Sequence, residues 1–140
     1  MLRYMFQNCV DFDCDLSGWE VQNVEDMTLT FAGATTFNSA LSTWNVFNVK
    51  TMEAMFYSSN FNSDISGWFT EDKLPEGETE FKITNMNGMF QYATEFNQDI
   101  GEWDVSSGTN FWAMFGGADE FNQDIGEWDV SSGTDFSGMF

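Results

Sequence analysis

Phenylalanine returns along this chain at positions 6, 31, 56, 90, 115 and 140, in steps of 25, 25, 34, 25 and 25 residues. A fixed period of this length marks a repeat architecture, in which one unit cannot bury its own apolar face and must stack on its neighbours. Further columns keep the register. Phe12, Phe37, Phe61, Phe96 and Phe121 form a second phenylalanine column, followed four residues later by Leu16, Leu41, Ile65, Ile100 and Ile125. Three residues beyond those stand Trp19, Trp44, Trp68, Trp103 and Trp128, and Val21, Val46, Val105 and Val130 lie two further on, with Thr70 as the exception. The segment FNQDIGEWDVSSGT at 96–109 recurs unchanged at 121–134. The chain therefore reads as one domain, residues 1–140, of about five and a half copies near 6–30, 31–55, 56–89, 90–114 and 115–140.

The third copy is the irregular one. Trp68 and Phe90 are 22 residues apart where the other copies have 12, so about ten residues are inserted around EDKLPEGETE at 71–80. That stretch holds the only proline, Pro75, and half of it is acidic. It is expected to be a solvated loop, because a stacked array accepts extra residues only outside the stack.

Within a copy, Ile100, Trp103 and Val105 have the spacing L-x-x-L-x-L of a leucine-rich-repeat strand, which places a strand near 102–106. The period then changes. Val49, Met52, Met55, Phe56 and Ser59 fall on one face of a helix of two to three turns. Thr109 and Thr134, or Ser106 and Ser107, stand where helix N-caps would be. The predicted fold is a repeat solenoid with one short parallel strand and one short helix per coil. Equivalent residues of successive coils would lie ~4.8 Å apart, so the phenylalanine and tryptophan columns become stacked ladders, each offset aromatic pair adding roughly 0.5–1.5 kcal/mol beyond its area burial.

Composition sets limits on partners. With 42% apolar residues the chain can pack a core, while 23 Asp and Glu against 4 Lys and Arg give a formal net charge of −19. Nucleic acids and anionic lipid surfaces are repelled by such a chain. No run approaches the roughly 20 apolar residues of a membrane-spanning helix, so direct membrane insertion is not expected. The opening MLRYMFQNCVDF has no basic segment leading into an apolar stretch, and no signal peptide is expected there. The copies begin at Met5-Phe6 and close on Met139-Phe140 without polar capping units. A segment of a longer array, or a protomer that stacks end to end on copies of itself, is the expectation.

MFQYATEFNQDIGEWDVSS at 89–107 resembles the short repeat of the BspA-like leucine-rich-repeat surface proteins, roughly M-F-x-x-A-x-x-F-N-x-D-I-x-x-W-D-V-S, and the resemblance covers all but the insertion. It implies a right-handed leucine-rich-repeat-like α/β solenoid in a secreted or cell-surface protein, with roles in adhesion or protein interaction. It implies no catalytic residues and no cofactor.

Asp15, Asp64, Asp99 and Asp124 share one column and Asn38, Asn62, Asn97 and Asn122 another. Such oxygen-rich ladders could bind calcium, which takes six to eight oxygen ligands; alternatively the same side chains hydrogen-bond the backbone of a turn that every copy repeats. Ala40 interrupts the aspartate column, which favours the turn. Paired acids such as Glu102 and Asp104 do not read as catalytic, since a ladder gives every copy the same solvated setting and acid–base work needs two different ones. Trp112 is the only tryptophan outside the ladder, at a column otherwise polar. Together with Phe69, which replaces a polar residue, it is expected to mark a contact surface with partner proteins. Cys9 occupies a small-residue column with Ala34, Ala93 and Ala118 and is expected to be buried; Cys14 is expected to be exposed.

Overall fold

The computed structural model describes residues 1–140. Parallel bridges join Asp26 to Thr51, Thr51 to Asn85, Asn85 to Asn110 and Asn110 to Asp135, so each coil meets the next one full repeat later along the chain. Around each bridge alternate amides point to the next coil. In the second coil the N–H groups of Met27, Leu29, Phe31 and Gly33 donate to the carbonyls of Thr51, Glu53, Met55 and Tyr57 at 2.8–3.0 Å. The intervening amides of Thr30, Ala32 and Ala34 turn back to Met27, Leu29 and Phe31, three residues earlier. The Thr28 amide donates to the Asp26 carboxylate at 3.0 Å. Every amide from 27 to 34 thus has a partner, as a backbone packed this closely requires.

This alternation replaces the helix expected over 49–59. The only helical residues are a single 3-10 turn, Glu71–Lys73. An α-helix would spend its amides on its own carbonyls and leave few for the neighbouring coil. Instead Ala54 (φ 51°) and Ser58 (φ 52°) adopt left-handed backbone, and successive i→i−3 turns carry the chain across the coil face. Met52, Met55, Phe56 and Ser59 are still all buried, since two linked tight turns bring residues three and four apart to the same side as a helix does. The strand expected near 102–106 is also absent: Asp104 makes one amide bond, to the Phe69 carbonyl, and the bridge of that coil lies further on, at Asn110. No helix follows the expected caps at Ser106, Ser107, Thr109 and Thr134. The hydroxyls of Thr109 and Thr134 donate across coils to the carbonyls of Thr84 and Thr109.

The core is a set of aromatic columns. Within a coil, Phe31 and Phe37 stack at 4.2 Å, Phe56 and Phe61 at 4.1 Å, and Phe90 and Phe96 at 3.8 Å between ring centres. Between coils, Phe31, Phe56, Phe90 and Phe115 follow at 5.6–5.8 Å with nearly parallel planes. The rings of Trp44, Trp68, Trp103 and Trp128 lie 6.2–6.5 Å apart with their planes within 11°. Each of these indoles also donates to a carbonyl of the preceding coil: Trp44 to Leu16, Trp68 to Leu41, Trp103 to Ile65 and Trp128 to Ile100. Trp19 and Phe12, in the first coil, are less covered.

The insertion leaves the stack between two aromatic rings. Phe69 and Phe81 are buried and meet edge to face at 5.4 Å, and Phe69 meets Trp103 in the same way at 5.1 Å. Lys82 lies 4.5 Å above the Phe47 ring and donates to Asn48.

Candidate functional site

The two oxygen-rich columns have separate tasks. In the asparagine column the side-chain oxygens of Asn38, Asn62 and Asn97 accept the backbone amides of Asn62, Asn97 and Asn122 at 2.8–3.0 Å, tying coil to coil. Gln98 and Gln123 donate to Asn62 and Asn97 from the same side, and Ser63 does so to Asn38. In the aspartate column Asp15, Asp64, Asp99 and Asp124 each accept the amide two residues ahead at 2.9–3.0 Å, closing a turn inside the coil. Two further corners repeat this device. At one, the bridge residues Asp26, Asn85, Asn110 and Asp135 accept the amide two residues on, and Thr51 does so with its hydroxyl. At the other, Asn45, Asp104 and Asp129 do the same. Asp and Asn serve this role equally, which is why much of the acidity recurs at the coil corners.

Oxygens that the calcium reading invokes are engaged by backbone amides. The asparagine oxygens face amides, the aspartate Oδ1 atoms face amides, and nowhere do three or more carboxylates converge closely enough to hold an ion. The amides have an electrostatic effect instead. Asp15 and Asp135 are held below the usual aspartate range by the backbone N–H groups of Ser17 and Ser137, with their hydroxyls adding to it. At Asp129 the Ser131 hydroxyl leads and its amide follows.

Of the two residues expected at a contact surface, one is exposed and one is not. Trp112 is 42% exposed. Phe69 is fully buried, against the expectation, because the inserted residues fold back over it and bring Phe81 onto its ring. Its column holds Glu20, Asn45, Asp104 and Asp129 elsewhere, so one aromatic beside an insertion was the signal that the inserted loop covers this spot. Cys9 is also corrected. It is exposed, as is Cys14, and both are free thiols. Ala34 and Ala93 are buried at the same column with a coil on either side of each, and Ala118 is buried as well, whereas Cys9 has a coil on one side.

Sequence reasoning did not find a cleft beside the insertion. About 820 Å³ lies between the insertion and the last coils, lined by carboxylates from both sides: Glu71 and Glu78 from the insertion, Glu102, Asp104, Glu127 and Asp129 from the coils. Phe69 and Trp103 lie at its base, and no cationic side chain lines it. The four cations of the chain are engaged elsewhere: Arg3 with Asp26 at 3.4 Å, Lys50 with Glu25 at 2.9 Å, Lys73 with Asp72 at 3.2 Å, and Lys82 on Phe47 and Asn48. Nor did the sequence indicate the exposed edge-to-face pair Tyr57 and Tyr92, at 5.7 Å.

Two overlapping stretches, residues 1–81 and 76–140, match the sequence model of a family described as Mycoplasma protein of unknown function, DUF285. The overlap falls at the end of the insertion. No curated protein and no solved structure matches the chain.

Proposed function

The chain belongs to the DUF285 family, and from that premise we propose that it is a BspA-like repeat protein, a right-handed leucine-rich-repeat-like solenoid that acts without catalysis in adhesion or protein interaction at the cell surface or outside the cell. The family is associated with BspA-like repeat proteins. The observation that carries the reading is the acidic surface whose every neighbouring cation is already paired, centred on the cleft beside the insertion. Such a surface favours proteins with basic patches as partners, through steering and complementarity. A catalytic role has less support: the carboxyl groups with a resolved shift, Asp15, Glu25, Asp72, Asp129 and Asp135, are all lowered, whereas a general acid working near neutral pH needs a raised one.

Two measurements test the reading. Antibodies raised against the chain are expected to label intact cells of the source organism, and labelling that needs permeabilised cells would sink the surface location. Binding of the purified chain to basic extracellular proteins is expected to weaken as salt rises and to weaken on Glu102→Gln/Glu127→Gln substitution. Binding indifferent to both would remove the acidic surface as the recognition element.

A second reading is a structural subunit stacking end to end, supported by the amide-to-carbonyl and indole-to-carbonyl pairing that recurs from coil to coil. Mass in solution measured over a dilution series decides it, since a strict monomer at micromolar concentration excludes the assembly.

A further inference from the structure

The insertion has firm feet and a loosely held crest. Leu74 packs against the core at one foot and Phe81 is buried at the other. Between them residues 75–80 are exposed throughout, held by the Glu78 amide on the Pro75 carbonyl and by a long 3.4 Å contact from Ser107 to Glu80. At Gly77 (φ 87°) there is open space around the backbone. Segments with few buried contacts and few backbone bonds open at low free-energy cost.

The charges on the two sides of the cleft have one sign. The crest carries Glu76, Glu78 and Glu80, and the coils opposite present Glu102, Asp104, Glu127 and Asp129. The one lysine of the insertion, Lys73, sits at the foot and is paired with Asp72. We propose that residues 75–80 are an electrostatically sprung strap, held off the coils by like charge when ionic strength is low and lying down over the cleft when that repulsion is screened. The Debye length falls from about 30 Å at 0.01 M salt to about 10 Å at 0.1 M and about 3 Å at 1 M. Over that range the repulsion passes from acting across the whole cleft to acting only at contact. Half-buried Leu74 and the aliphatic stems of the lining glutamates supply the apolar surface for the Pro75 ring and the stem of the crest to settle on. The acidic surface of the last coils is then either open or covered, depending on the salt around it.

The test uses the whole chain with Cys9→Ser and Cys14→Ser, spin-labelled at Thr79→Cys and Ser132→Cys, both exposed positions that leave the charges intact. Pulsed dipolar spectroscopy is expected to show the mean distance between labels shortening as NaCl rises from about 0.01 M to about 1 M. Glu78→Gln/Glu102→Gln/Glu127→Gln in the same background is expected to show the short distance already at low salt. A distance that does not respond to salt overturns the proposal, and so does a folded triple variant that keeps the long distance at low salt. A shift that is larger in calcium than in sodium at equal ionic strength also overturns it, because a bound ion rather than screening would then be the cause. Should the triple variant not fold, the salt series on the parent chain decides alone.

Discussion

The Leu41 carbonyl receives two donors: the Trp44 amide of its own turn at 3.0 Å and the Trp68 indole of the next coil at 2.8 Å. Leu16, Ile65 and Ile100 are shared in the same way. One atom thereby closes a coil and fastens the coil after it, so the tryptophan column is both a ring stack and a hydrogen-bond ladder. Trp68→Phe retains an aromatic ring and the turn but removes the second donor. A loss of about 1 kcal/mol is expected, the net worth of an ordinary hydrogen bond, and urea unfolding measures it. Trp19→Phe, whose indole makes no such bond, is expected to cost less; equal losses at both positions would contradict the ladder.

The left-handed positions give a pair of substitutions with opposite signs. Leu29, Ala54, Gly88 and Ala113 share one column, all with φ between 49° and 57°. A residue with a side chain is strained there by roughly 1–2 kcal/mol relative to right-handed backbone, and glycine is not. Gly88→Ala should lower the urea midpoint by an amount corresponding to about 1 kcal/mol, and Ala54→Gly should raise it. A lowered midpoint for both would mean that glycine's extra freedom in the unfolded chain outweighs the strain.

Phe69 and Trp112 separate a core aromatic from a surface one. Phe69→Ala empties a fully buried site and is expected to cost about 3–5 kcal/mol. Trp112→Ser, at 42% exposure, should stay within about 0.5 kcal/mol while weakening any partner that uses that ring. Calorimetry on the two variants distinguishes them.

Acid should act through the corner aspartates. Asp15, Asp129 and Asp135 have depressed values in the folded chain. Their contribution is fully present above the unfolded value of about 3.9 and is lost as pH falls through the folded value. In high salt, where repulsion among the carboxylates is screened, the melting temperature is expected to fall as pH drops below about 4. Asp15→Asn/Asp129→Asn/Asp135→Asn keeps the acceptors without the titration and should flatten the profile. A melting temperature that climbs with acid in high salt would show that these turns are not what titrates.

The register of the coils was legible in the sequence because bulky residues must coincide where coils stack. Phe37 and Trp44 therefore reported their neighbours directly. The path of the backbone between them was not legible. Met52, Met55 and Phe56 fall at the same spacing in a helix and in linked tight turns, and the residue that tells the two apart, Ala54 in left-handed backbone, has no side-chain signature. Glycine at 88 and 138 of the same column was the available hint. Phe69 was misread for a different reason: its column is outward in every other copy, and only the fold of the insertion turns that position inward. Cys9 was misread because Ala34 and Ala93 of its column have a coil on either side and Cys9 has a coil on one.

The hydrogen bonds that cross between coils reach one coil and no further, and amide-to-carbonyl and indole-to-carbonyl pairings recur at each boundary, joined by amide to asparagine oxygen at every boundary after the first. A boundary therefore cannot sense how many others exist. Duplication or deletion of a whole 25-residue unit at the gene level leaves every remaining boundary as it was, and the verbatim recurrence of 96–109 at 121–134 is the trace such an event would leave. In this architecture length is a heritable variable that can change in one step without a new fold having to be found.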